Sequence, residues 1–257
     1  MNNYFEHLRE NLLHFPLIFA FFGLGFNGQA QVPQMQRVAV SNIEVSGGFG
    51  LPMGAFSERV ALVYPVGGGF FRQSVKGWQW GATAHFVFGE EIKEPGFASN
   101  LLPIIAGDGS FPGIGATFQG IMTGGFVGKV LPIGRPNGNS GFALRFGLGY
   151  LSSWYALRTS GGLVPQLAAP YDKGYDRMSS GFYLSQWFGY QLMSNNQSIN
   201  FYIGIEAVQG FQEHLRKFQY DIGVLPSGFR SDLWLGLKAG WFFPLYPRSK
   251  REFIEFN

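Results

Sequence analysis

The sequence predicts an all-β fold, an eight-stranded antiparallel up-and-down transmembrane β-barrel, on three observations. Segment after segment alternates apolar with small or polar residues at a period of two, as a strand does when its faces meet different surroundings. Charged residues make up only 14% of the chain, aromatics 18%, and glycines number 38, far from the roughly 25% charge of an ordinary soluble domain. The connections are by turns short and long, the pattern of a barrel with tight turns on one side of a membrane and longer loops on the other.

The first element is a removable leader. Residues 15–26 read FPLIFAFFGLGF, an apolar run too short to span a bilayer and suited to the core of a secretory signal. Small residues in Asn27-Gly28-Gln29-Ala30 place the expected cut after Ala30, giving a signal peptide over 1–30 and a periplasmic lead-in over 31–40. Glu6 and Glu10 against Arg9 depart from the usual positive start, and an uncleaved membrane-associated helix is the alternative.

Eight strands follow. Over 42–51, Ile43, Val45, Phe49 and Leu51 oppose Glu44 and Ser46. Residues 58–71, ERVALVYPVGGGFF, are β-prone but apolar on both faces, and Pro65 requires a bulge or strand edge. Residues 76–91, KGWQWGATAHFVFGEE, set Trp78, Trp80, Phe86 and Phe88 on one face and Gln79, Thr83 and His85 on the other. Over 120–133, Met122, Phe126 and Val130 are expected outward, with Thr123 and Lys129 inward. Over 141–156, Phe142, Leu144, Phe146 and Leu148 oppose Ala143, Arg145 and Gly147. Over 181–193, Phe182, Leu184, Phe188 and Tyr190 share a face that Gln186 interrupts. Residues 198–209 put Ile203 and Ile205 opposite Tyr202 and Glu206. Residues 231–246 put Leu233, Leu235 and Leu237 opposite Asp232 and Lys238. Short turns at 72–75, 134–140 and 194–197 alternate with long segments at 91–118, 158–177 and 213–230. An even strand number with short periplasmic turns places both termini in the periplasm. The barrel is thus expected over 41–246, with a basic and aromatic periplasmic tail over 247–257.

A membrane, rather than a soluble sandwich, is indicated by the apolar faces, which carry no formal charge across the five clearest strands. Lys or Arg at the lipid midplane costs about 2–4 kcal/mol. The opposite faces carry small residues, which fit a narrow interior. Trp78, Trp80, Trp154 and Trp241 near strand ends suit interfacial belts. Closure is required because an open edge in lipid strands its backbone groups. The chain has no cysteine, which excludes disulfides and thiolate chemistry. No basic block interleaved with aromatics points to nucleic acid. No cofactor or metal is expected.

In the last strand Lys238, Gly240, Phe243 and Leu245 fit a polar residue, a glycine and two spaced hydrophobics. With this ending the chain resembles the small eight-stranded outer-membrane proteins of Gram-negative bacteria, the OmpA/OmpX-like barrels. The resemblance implies the bacterial outer membrane, contact with its lipid and lipopolysaccharide, and an assembly signal read by the outer-membrane assembly machinery. The tail after residue 246 departs from it, since such barrels commonly end at the aromatic.

Inward positions collect Glu44, His85, Lys129, Arg145, Glu206, Asp232 and Lys238. Charges in a narrow lumen must pair, so an ion-pair network over Glu44, Lys129, Arg145, Glu206, Asp232 and Lys238 is expected. Glu206 would meet Lys238 at mid-height, and Glu44 would answer Lys129 and Arg145 near the periplasmic end. A narrow gated pore is the other use of such a lumen. Some barrels resembling this one are lipid A acyl hydrolases or transferases, which need a nucleophile–base pair near the outer leaflet. The candidates are His85 and His214, expected near the outer strand ends, with Ser152 and Ser153. No His-x-Ser motif is present, because Phe86 and Val87 follow His85. The expected function is therefore a non-enzymatic outer-membrane protein, a structural or accessory subunit of an envelope complex. The apolar loop 91–118 would be a protein-partner surface or an inward plug. His214, Arg216, Lys217 and Arg230 in the last loop could meet lipopolysaccharide phosphates.

Overall fold

The computed structural model describes residues 37–245, apart from 95–96, 98–104, 133–137, 161–163, 195–198 and 225–227. The expected signal peptide, residues 31–36 of the expected lead-in and the 247–257 tail lie outside the described residues, as do parts of the 134–140 and 194–197 turns and of loop 91–118.

Alternation becomes eight long strands: β1 (Val40–Met53), β2 (Val63–Gln73), β3 (Trp78–Glu91), β4 (Gly113–Leu131), β5 (Gly141–Ser160), β6 (Ser179–Met193), β7 (Asn200–His214) and, after a two-residue pair β8 (Phe218–Gln219) and β9 (Gly223–Val224), β10 (Arg230–Leu245). The long strands form a closed antiparallel barrel in the order β1-β10-β7-β6-β5-β4-β3-β2. Closure pairs β1 with β10 from Ser41↔Leu245 to Met53↔Leu233. No free edge remains, so the ladder satisfies the backbone in an apolar medium. All eight barrel strands have at least 11 residues, enough to cross a hydrocarbon core, which takes about 9–11. No described helix is long and apolar enough to cross a membrane.

The β2–β3 turn depends on Gly77, whose φ is +80°, a value L side chains rarely adopt. Inside the barrel Gly236 serves close approach instead. A Cβ there would lie 1.8 Å from the Phe49 carbonyl oxygen.

Two expectations change. The second strand begins at Val63, because Gly54–Phe56 forms a 3-10 turn and residues 57–62 stay outside the ladder. Pro65 stands where the β1–β2 pairing lapses between Gly47↔Val66 and Gly50↔Val63, which is where a residue without an N–H fits. The faces of β4 are reversed. Phe118, Met122 and Val130 are buried in the lumen, while Ile121, Val127 and Leu131 are exposed on the outside. Both sets are apolar, so alternation could not choose between them. Filling did: Phe126 packs on Phe71, and Met122 joins the upper core. Lys129 therefore points out, its ammonium 4.5 Å from the Trp78 ring centroid.

Elsewhere the outer surface is an apolar belt. Val45, Phe49, Leu148, Phe188, Ile205 and Leu237 are all exposed large hydrophobics. Among the described residues, outward charges of the barrel strands stand only near strand ends. Arg72 and Lys129 lie towards the short-turn end, and Glu90, Arg158 and Glu213 towards the long-loop end.

Candidate functional site

The barrel interior is built in layers, each fixed by the inward parity of its strands. At the short-turn end, Gln73 and Gln79 flank the β2–β3 turn and Gln191 stands two residues before the end of β6, all three fully buried. Gln79 Nε2 donates to Gln73 Oε1 at 3.0 Å and to Gln191 Oε1 at 2.7 Å, and Gln191 Nε2 donates to Gln73 Oε1 at 2.9 Å. Asn139 closes this floor, donating to the Val38 carbonyl at 3.1 Å. Arg145 stands above it, donating to Gln79 Oε1 at 3.1 Å and Gln191 Oε1 at 3.3 Å. Its guanidinium carbon lies 4.8 Å from the ring centroid of Phe71, 4.9 Å from Phe126, 5.2 Å from Trp187 and 4.6 Å from Tyr202. Such contacts stabilise a desolvated cation. Glu44 supplies the counter-charge at 3.2 Å.

At mid-height Lys238 meets Glu206 at 2.8 Å, and His85 Nε2 meets Ser46 Oγ at 2.8 Å. Gly67 lies between them in register. A cavity of about 30 Å³ reaches Thr83, Tyr183, Ser185, Glu206 and Lys238, room for a water or two. Above it a second apolar core, with Phe56, Val87, Phe118, Met122, Leu151 and Trp234, fills the lumen.

Asp232 is the centre of the next layer and is fully buried. Arg59 from the β1–β2 connection reaches it at 2.5 Å and Arg230 at 2.8 Å. Gln212 Nε2 donates to Asp232 at 2.6 Å and Ser153 Oγ donates to Gln212 at 2.8 Å. Burial works to lower the Arg59 pKa, but the charge of Asp232 and its hydrogen bond hold it above the ordinary value. The loops are tied over this layer. Arg177 pairs with Glu94 and, at 2.7 Å, with Asp221. Arg216 pairs with Asp176 at 2.8 Å, and that hydrogen bond raises its pKa.

Of the charges expected to form one network, Glu44 pairs with Arg145 and Glu206 with Lys238 around one cavity, while Asp232 pairs with Arg59 and Arg230 instead. Lys129 belongs to none of them, because β4 turns it outward. The enzyme candidates do not converge either. His85 sits at mid-strand rather than at the outer end. Ser152 faces outward, and Ser153 bonds Gln212 and Arg230. His214 meets a different serine, Ser179, at 3.0 Å through Nδ1. Ser179 Oγ also donates to the Arg177 carbonyl at 3.1 Å and is fully buried, so this pair presents no nucleophile to a lipid ester. Among the described residues no cluster of metal-ligating side chains occurs.

Of the last-loop charges, Arg230 turns inward to Asp232, Arg216 is held by Asp176 and Lys217 is exposed. The expected loop 91–118 is shorter, because Gly113–Phe118 belong to β4, and its described residues divide. Ile92 and Phe97 pack on the upper core, Ala106 packs with Val164, and Ile105 and Phe111 are exposed. In β10, Lys238 and Gly240 face the lumen, while Phe243 and Leu245 are exposed on the outside. The glutamine floor, Arg59 and the Ser179–His214 pair were missed by sequence reasoning. The only signal for the glutamines was inward parity beside short turns.

No family model and no curated protein matches the chain. Among solved structures it is similar to Ail, the attachment invasion locus protein of Yersinia pestis. The crystal structure of Ail with the heparin analogue sucrose octasulfate is 12% identical, covers 80% of this chain and 100% of its own, and has a TM-score of 0.43. A second Ail crystal structure is 10% identical, covers 80% and 99%, and has a TM-score of 0.34.

Proposed function

We propose that the chain is a non-enzymatic integral protein of the bacterial outer membrane, with both termini periplasmic, and a structural or accessory subunit of an envelope complex. The observation that carries this reading is a closed ring whose outside is mainly apolar and uncharged at mid-height and whose inside is packed at both ends. A soluble barrel would wet its outer face, and a transport barrel would keep its lumen open. The Arg145 layer and the upper core stand in series across the lumen, which favours a structural part over conduction. The serines near the rim are committed to hydrogen bonds or turned to the outside, which speaks against lipid A acyl chemistry. The outward Phe243 and Leu245 of the last strand are the part that the assembly machinery would read.

A protein partner is assigned to the long-loop end. There Phe111 of the β3–β4 connection and Phe218, Tyr220, Ile222 and Phe229 of the β7–β10 connection are exposed, and apolar surface outside a membrane belt marks contact surfaces. In this reading loop 91–118 contributes chiefly through Ile105 and Phe111. Lys217 is the remaining lipopolysaccharide contact.

The expected results are recovery from outer-membrane fractions as a band whose gel mobility changes on boiling, no channel conductance in planar bilayers, and an unchanged lipid A mass profile on overexpression. Partner capture from native outer membranes should be lost when residues 105–112 are replaced by a Gly/Ser linker. Recovery in the soluble periplasm, steady conductance or a shifted lipid A mass would overturn the corresponding part. Equal capture with and without the loop would overturn the partner assignment.

A further inference from the structure

The outward cations at the short-turn end call for a counter-charge that the described residues do not provide. Register places Arg72 of β2 opposite Trp80 of β3, and Trp78 of β3 opposite Lys129 of β4. All four point out of the barrel on three adjacent strands. Lys76, exposed in the turn that joins β2 to β3, completes the group. Among the described residues no carboxylate stands on the outer face at this end. Glu44, the acid of this level, is turned inward to Arg145.

We propose that Arg72, Lys76 and Lys129, braced by Trp78 and Trp80, form a binding site for the phosphate of an anionic phospholipid in the leaflet at the short-turn side. The assignment rests on the membrane reading above. Three considerations carry it. Neighbouring strands are about 4.8 Å apart and residues rise about 3.4 Å each, so Arg72 and Lys129, two strands and two residues apart, stand about 12 Å from each other across β3, within joint reach of one phosphodiester. The Trp78 ring, 4.5 Å from the Lys129 ammonium, holds that cation at the rim by a cation–π contact while its own apolar body stays at interfacial depth. The rim is also uneven. Phe142, Phe243 and Leu245 occupy the corresponding outward positions on β5 and β10, so among the described residues the outward positive charge of the strands is gathered on one side rather than spread as a general belt. A cation beside a hydrocarbon belt reaches for headgroup phosphates by extending its stem, and here three can reach the same one.

The test uses the full-length mature protein purified in neutral detergent, with native mass spectrometry after addition of phosphatidylglycerol, phosphatidylcholine or lipid A. Phosphatidylglycerol is expected to bind in preference to phosphatidylcholine. Lys129→Gln should weaken it about fivefold, the worth of one cation near a charged headgroup, and Lys129→Arg should retain it. The triple variant Arg72→Gln, Lys76→Gln, Lys129→Gln should lose the preference altogether, with boiling-sensitive gel mobility reporting that the barrel is intact. Equal binding of the two phospholipids by the unmodified protein overturns the site, as does a preference that survives the triple variant. Preferential lipid A binding through these same residues overturns the leaflet assignment. In a parallel reconstitution into lipid vesicles, a barrel that fails to insert overturns the membrane reading instead, so the two failures are told apart.

Discussion

Replacing Arg145 with methionine is expected to lower the unfolding free energy by about 3–5 kcal/mol, the cost of stranding one member of a buried ion pair. Methionine keeps much of the volume, so the loss reports charge rather than a void. Glu44 would remain buried with its 3.2 Å partner gone. Four rings would also lose the cation they surround, and Gln79 and Gln191 would lose a donor. Adding Glu44→Leu should recover most of the stability, because an apolar pair of similar volume replaces a buried ion pair at little cost. Urea unfolding in lipid vesicles, followed by tryptophan fluorescence, measures all three proteins. A double variant no more stable than Arg145→Met would show that the guanidinium acts through its rings and glutamines and not through Glu44.

Leu237→Arg is the second large effect, expected at about 2–4 kcal/mol in a bilayer. Leu237 is exposed on the outer face near the middle of β10, between Phe49 of β1 and Ile205 of β7. An arginine there must be desolvated by hydrocarbon or drag water in. The same change at Leu245, at the end of the strand, should cost about 0–1 kcal/mol, because the penalty falls towards the interface. Comparing the two positions by unfolding in vesicles separates a membrane belt from an exposed hydrophobic surface, which would show no dependence on depth.

Where a strand's two faces differ in chemistry, the sequence was enough. β3 alternates tryptophan, alanine and phenylalanine with glutamine, threonine and histidine, and its lumen side follows directly. Parity with equal distance from the turns likewise brought Glu44 level with Arg145, and adjacency brought Glu206 to Lys238. β4 offers no such contrast. Phe118, Met122, Phe126 and Val130 on one side face Ile121, Val127 and Leu131 on the other. Its orientation is decided by which set fills the lumen against Phe71 and the upper core, a tertiary fact with no local signature. Lys129 was misplaced for that reason alone. Arg59 was hidden differently. It sat inside a β-prone stretch, yet the 3-10 turn at Gly54–Phe56 swings it over the barrel mouth to Asp232. Loop pairs such as Glu94 with Arg177 have no period to read at all.

The claim on which the rest depends is that the alternating face of the barrel touches lipid. Because the chain contains no cysteine, single cysteines at Val45, Leu235, Leu237 and Lys238 can each carry a spin label without background. In reconstituted bilayers, collisions with oxygen and with a polar nickel complex should then sort the sites. Labels at Val45, Leu235 and Leu237 should be open to oxygen and closed to nickel, and the label at Lys238 should be shielded from oxygen. Nickel collisions at Val45, Leu235 and Leu237 as frequent as those in water would mean that the belt is not in a membrane.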